Sequence, residues 1–262
     1  MVALQSAWHG LQPDWPLPPR IKAVSTQRAG GLSGGPYGAL DGAGGLNLGD
    51  HVGDAPAAVQ ANRRLLAAAI GAEPVFLSQV HGIRVVPAEN LLPGESADAV
   101  FSATPGVVCA VLTADCLPVL FCDKAGVVVA AAHAGWRGLV AGVLEQTVAH
   151  MRAAGAADIS AWLGPAIGPQ QFEVGQEVVD LFTLRHPNTL QYFEKKSVDT
   201  TQFAAPHKYL ADIYGLARLI LKQVGVDQVC GGEHCTVTEA ARFYSYRRDG
   251  VTGRMASLIW LE

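Results

Sequence analysis

The sequence is short of charge, of aromatic rings and of pairable cysteines. Only 16% of its 262 residues are Asp, Glu, Lys or Arg and 7% are aromatic, while half are hydrophobic and mean hydropathy is +0.22. So little charge and so much apolar surface exclude a disordered tail and imply an extensive core. No basic run exists, and 19 Lys and Arg against 23 Asp and Glu leave a net charge of −4. Nucleic-acid binders gather positive charge on one face, so nucleic acid is not an expected partner. No apolar stretch reaches the roughly 20 residues that a spanning helix needs. The stretches from Val107 to Phe121 and from Val127 to Ala132 are interrupted by Asp115 or too short, and the first ten residues lack a secretory pattern. No membrane is therefore expected, and a cytoplasmic setting is. Five cysteines (Cys109, Cys116, Cys122, Cys230, Cys235) form an odd set without framework spacing. They read as thiols open to a metal or to catalysis.

What is present is a mixture of strand and helix signals with no repeat and no clear linker. Residues 1–24 are proline-rich and without period, so an irregular N-terminal arm is expected there, followed by one α/β (α+β) domain over 25–262. From Thr26 to Gly53 the chain is rich in glycine. Arg28, Tyr37, Leu46, Asn47, Leu48 and His51 punctuate it, which favours an anchored functional loop over a flexible linker. Pro56 to Ile70 reads as a helix stopped by Gly71. Apolar runs at Pro74–Val80, Val107–Leu112, Leu117–Cys122, Gly126–Ala132 and Ile159–Leu163 read as strands covered on both faces. Further helices are expected after HAGWRG as far as Gly155, at Gln176–Leu184 and at Leu210–Val224. A hairpin of Phe243–Arg247 with Met255–Leu261 is expected to close the chain.

Three short segments each set a metal-binding side chain next to an apolar strand end and a turn: SQVHG with His81, LTADCLP with Cys116, and AAAHAGWRG with His133. Strand ends are where distant parts of an α/β chain converge on one crevice. Two imidazoles and a thiolate suit zinc and leave a fourth position open, as catalytic zinc sites do. The bland alternative is a hydrogen-bonded histidine and a buried thiol, which spacing alone does not exclude. A rival cluster, Cys230, His234 and Cys235 in CGGEHC, is compact but offers one local loop and no pocket. Cys109 and Cys122 sit inside apolar runs and read as core.

The segments TQRAGGLSGGPYGALDGAGGLNLGDHVGD, SQVHG, ADAVFSATPGVVCAVLTADCLPVLFCD, GVVVAAAHAGWRGLVAGVL, LGPAIGPQQFEVGQEV and FYSYRRDGVTGRMASLIWL together resemble the YfiH, or laccase-domain, family of bacterial proteins. The likeness runs from about Ser25 to the C-terminus. It implies a layered sandwich of mixed β-sheet and helices, similar to the catalytic domain of cytotoxic necrotizing factor toxins. It also implies that His81, Cys116 and His133 form a zinc-binding catalytic cluster. The activity it implies is phosphorolysis of adenosine, inosine and S-methyl-5′-thioadenosine, with deamination of adenosine.

Zinc lowers the pKa of water to about 7, as attack on the purine C6 requires. Phosphorolysis needs positive charge near the incoming anion, and Arg28 and Arg137 are the expected phosphate contacts, with Arg247, Arg248 and Arg254 weaker candidates. Asp115 is expected as a general base or an orienting group, with a backbone cap as its plainer role, and Gln79 as a substrate-side or supporting residue.

Competing functions follow from the same residues. Cys116 with His133 is also a nucleophile and base suited to acyl chemistry, as in an amidase that edits peptidoglycan precursors. A copper polyphenol oxidase would need clustered imidazoles, but the chain has 8 histidines and no H-x-H pair. A binding module with structural zinc would need a fourth protein ligand.

Overall fold

A computed structural model describes residues 10–91, 95–196 and 207–262. It is mixed α/β, with its strands in three sheets. The larger sheet has six strands in the order Val229–Gly231, Ile159–Leu163, Leu117–Asp123, Val129–Ala134, Ala99–Ser102 and Val85–Pro87. The second has four: Ile21–Ser25, Met255–Leu261, Val108–Thr113 and Pro74–Val75. A small third sheet orders Glu173–Gly175, Lys208–Ala211 and Phe193–Lys195.

Side-chain alternation along the strands builds the layers. In Leu117–Asp123, Leu117, Val119 and Phe121 point to a helical layer, while Leu120 and Cys122 point to the four-stranded sheet. In Val108–Thr113, Cys109 and Val111 meet that same inter-sheet core, and Val108, Ala110 and Leu112 pack on the far side with Leu46, Leu48 and Leu66. Both sheets are thus covered on both faces, which is why their strands read as continuous apolar runs rather than alternating ones. Each fully buried leucine contributes roughly 2 to 3 kcal/mol of transfer free energy.

The helix Pro56–Ile70 starts on proline and stops at Gly71, whose φ of 76° is left-handed. After HAGWRG there are two helices, Trp136–Ala141 and Val143–Ala153, because the chain turns at Gly142 with φ 110°. Leu139, Val143, Leu144, Val148 and Met151 are all buried on them. The helix expected from Leu210 begins at Ile213: Asp212 caps it by accepting from the Gly215 amide, and Lys208–Ala211 pair as a strand instead.

Two expectations need correction. The arm expected to be irregular over 1–24 contains most of the strand Ile21–Ser25, which pairs antiparallel with Ser257–Leu261 and buries Ile21, Ala23 and Val24. The expected hairpin is absent: Met255–Leu261 pairs with Ile21–Ser25 and Val108–Thr113, and Tyr246–Asp249 is a helical turn capped by Ser245. Of the strand expected over Pro74–Val80, Pro74–Val75 pair, and Ser78 makes a lone bridge to Ser96. Among the described residues no helix is long and apolar enough to cross a membrane.

Candidate active site

Between the two large sheets the chain crosses at Ala114–Cys116, which joins the end of Val108–Thr113 to the start of Leu117–Asp123. Asp115 makes this corner with φ 91°, a backbone conformation that a side chain other than glycine's adopts only when its surroundings hold it. Its carboxylate does the holding, because Oδ1 accepts from Thr236 Oγ1 at 2.6 Å and Oδ2 from the Arg247 amide at 2.6 Å. Both oxygens are occupied by neighbours. Asp115 is thereby a backbone brace, and the general-base role expected of it gives way to that simpler one.

The corner sets Cys116 beside His133, carried on Val129–Ala134 where it pairs with Pro118. His81 reaches the same point from a turn with φ 61°. The ligand atoms of His81, Cys116 and His133 lie within 4.8 Å of one another, and Cys116 Sγ is 3.6 Å from His81 Nε2. The two imidazoles meet edge to face, with centroids 4.7 Å apart. Close approach depends on Gly135, where a Cβ would lie 2.6 Å from His81 Cδ2 and 3.0 Å from Cys116 Sγ.

Asp98, which the sequence reading missed, organises the trio from behind. It is wholly buried, and its carboxylate accepts from His133 Nδ1 at 2.9 Å and from the amides of Val80, His81 and Gly82 at 3.2, 2.8 and 2.7 Å. One carboxylate therefore fixes the His133 ring and the turn that carries His81. Burial alone would raise its pKa, but the His133 hydrogen bond and the amides hold it below the usual carboxylate range. With Nδ1–H donating to Asp98, His133 presents Nε2 to the other two ligands, the carboxylate–histidine arrangement that supports metal sites.

Without a metal these groups form an ion pair. Burial opposes the Cys116 thiolate, yet the His133 charge and hydrogen bonds from His133 and His81 bring its pKa down to about 6. Burial likewise opposes the imidazolium, and the Cys116 thiolate and Asp98 outweigh it, raising His133. A thiolate and two imidazoles this close fit a zinc-type donor set, so the trio can hold a metal ion. Among the described residues it is the one such group. The rival CGGEHC residues are used otherwise: His234 Nδ1 faces Glu239 at 3.2 Å, Cys235 Sγ accepts from the Gly168 amide, and Cys230 lies on the strand beside Trp162. Cys109 and Cys122 are buried as expected, and desolvation pushes both thiols up, Cys122 to about 11.

Two adjoining hollows share His81, Ala114, Cys116 and Tyr246 as their common wall. One, of ≈ 310 Å³, is walled by Trp136, Phe172, Ile167 and Ile213, with Arg137 and Arg247 on it. The other, of ≈ 380 Å³, holds His133, His51, Gln79 and Arg254, and no carboxylate among its described residues. Gln79 is pinned there, because its amide donates to the Leu112 carbonyl and accepts from the Leu112 amide at 2.8 and 2.7 Å. It braces the wall, which replaces the substrate contact expected of it.

The arginines separate by surroundings. Arg28 is buried away from both hollows, donating to the carbonyls of Gly38 and Ala240 and stacked over Tyr244, so the expected phosphate contact is corrected to a structural role. Arg248 binds the carbonyls of Thr236, Val237 and Phe243. Arg247 holds those of Gln171 and Glu173. Arg137 is exposed and stacked 4.3 Å over Trp136.

A sequence profile described as multi-copper polyphenol oxidoreductase laccase matches residues 22–262. The purine nucleoside phosphorylase YfiH of Escherichia coli (strain K12) is 52% identical over 260 residues, covering 95% of this chain and 97% of the relative. A purine nucleoside phosphorylase of Pseudomonas aeruginosa is 50% identical over 259 residues, covering 98% and 99%. A crystal structure of a Neisseria meningitidis protein, 50% identical, superposes with a TM-score of 0.87 over 97% of this chain and 99% of that one.

Proposed function

Since the chain belongs to the laccase-domain family whose relatives include YfiH, we propose that it is a zinc-dependent purine nucleoside phosphorylase. Its substrates are adenosine, inosine and S-methyl-5′-thioadenosine, each giving free base and the ribose or methylthioribose 1-phosphate. Adenosine is also hydrolysed to inosine and ammonia. The observation that carries this is the placing of His81, Cys116 and His133 on the wall shared by an apolar aromatic hollow and a basic one.

A purine ring is flat and apolar on its faces, and the hollow of Trp136, Phe172, Ile167 and Ile213 offers the matching surface. Arg137 stands at that hollow's rim, so we place it against the nucleoside. His81, Cys116 and His133 would hold the metal, which supplies Lewis acidity and a lowered water pKa when bound. In phosphorolysis a phosphate oxygen bonds to C1′, the C1′–N9 bond breaks, and the proton given up by hydrogen phosphate ends on the purine. Asp98 keeps His133 in one tautomer and one orientation throughout.

A second reading has a specific observation behind it. Cys116, His133 and Asp98 also stand as nucleophile, base and orienting acid, the arrangement of a cysteine hydrolase or amidase. Metal dependence separates the two, since a zinc-bound thiolate is not a free nucleophile. Stripping the metal and titrating zinc back should abolish and then restore both nucleoside activities. Full phosphorolysis by the metal-free protein would overturn the zinc reading, and amide hydrolysis confined to that form would favour the hydrolase.

A further inference from the structure

Arg254 differs from the other arginines in being partly buried, turned into the cleft and without an acidic partner. Its Nη1 donates to the carbonyls of Thr252 and Gly253 at 3.1 and 3.0 Å, and it forms no ion pair among the described residues. A partly buried cation without a counter-charge is costly unless an anion completes it. The hollow it lines, shared with His81, Cys116 and His133, is free of carboxylates among its described residues.

Its placement is also built rather than incidental. The Arg254 amide donates to Asn47 Oδ1 at 2.8 Å, and its carbonyl accepts from the Leu48 amide at 3.1 Å. Asn47 is itself buried and held by Gly49 and Asp54. Gly49 leaves room for the side chain, since a Cβ there would lie 2.7 Å from Arg254 Cγ. The glycine-rich loop therefore works as a cradle for this one guanidinium.

We infer that Arg254 seats the phosphate co-substrate in the hollow beside His133, opposite the nucleoside's aromatic hollow. The assignment rests on the phosphorylase reading for the identity of the anion and on the geometry above for its place. With phosphate on one side of the shared wall and the base on the other, C1′ lies between them, as displacement of the purine requires. A guanidinium holds a phosphate through two parallel N–H donors, a fit that lysine lacks.

The test measures binding of inorganic phosphate to the metal-loaded protein by calorimetry, beside the KM for phosphate and for inosine. Arg254→Met should weaken phosphate binding and raise its KM by roughly 10- to 100-fold, leaving the KM for inosine within about twofold. Arg254→Lys should fall between, and Gly49→Ala should reproduce the defect by displacing the arginine. These two variants carry the test if Arg254→Met does not fold. Unchanged phosphate binding in Arg254→Lys and Gly49→Ala, or no phosphate binding by the wild type, would overturn the assignment. Phosphate binding that depends on Arg254 without any phosphorolysis would leave the seat standing and remove the phosphorylase reading instead.

Discussion

The carboxylate of Asp98 accepts a 2.9 Å hydrogen bond from His133 Nδ1 while it also gathers the amides of Val80, His81 and Gly82. Two ligands that lie 52 residues apart in the chain are thus aligned by one buried group. Replacing it by asparagine keeps the shape but turns one oxygen into a donor facing donors. Asp98→Asn is expected to lower zinc affinity and kcat/KM together, by about 10- to 100-fold. Zinc titration of the stripped protein, read beside the circular dichroism spectrum, checks this. A variant with full metal affinity would show that Asp98 serves only to hold the turn.

Gly135 tests the cluster without touching a ligand. Its φ of −62° suits alanine, so the backbone does not object, but the added methyl meets His81 and Cys116. Gly135→Ala should remain folded, with its melting temperature lowered by a few degrees, and should lose at least about tenfold in zinc affinity, a scale set by disturbed ligand geometry. Normal zinc binding would mean that the trio tolerates displacement and is no metal site.

The ligands were legible in the sequence because each interrupts an apolar run at a turn, and His81, Cys116 and His133 have no other apolar-run role to fill. Asp98 was not, since an acid at the head of the strand Ala99–Ser102 reads as a turn residue until its four donors are seen. Arg254 and Arg28 changed places for a related reason. Sequence shows the loop that each adjoins but not that Arg28 finds Gly38, Ala240 and Asp249 while Arg254 finds no acid. Strands buried on both faces, such as Leu117–Asp123 and Ile159–Leu163, declared themselves by composition. Ile21–Ser25 was hidden behind its prolines, and the closing hairpin failed because Met255–Leu261 takes its partners from residues over a hundred positions away.

The Cys116 thiol gives a pH prediction. With its pKa brought down to about 6, chiefly by the His133 charge acting against burial, half of the metal-free protein carries thiolate near pH 6. Alkylation of Cys116, followed by mass spectrometry, should rise with pH through about 6 and then level off, whereas an unperturbed cysteine keeps rising toward about 8.5. His133→Ala should move the midpoint upward, and bound zinc should suppress alkylation. A wild-type midpoint near 8.5 would contradict the ion pair.

Asp115 is expected to act through structure. Asp115→Ala removes the acceptors of Thr236 Oγ1 and the Arg247 amide, which should cost about 1 to 3 kcal/mol of stability and loosen the Tyr246–Arg247 wall. The KM for nucleoside should rise while the acid limb of the kcat profile stays in place. Loss of that limb would restore Asp115 as a general base.

The measurement closest to the centre of the proposal is a product balance. The metal-loaded protein is incubated with inosine, with and without inorganic phosphate, alongside Cys116→Ala, and hypoxanthine and ribose 1-phosphate are both quantified. Equal amounts of the two products, formed only when phosphate, metal and Cys116 are all present, are expected. Hypoxanthine released without phosphate, or at an undiminished rate by Cys116→Ala, would contradict a phosphorylase built on His81, Cys116 and His133.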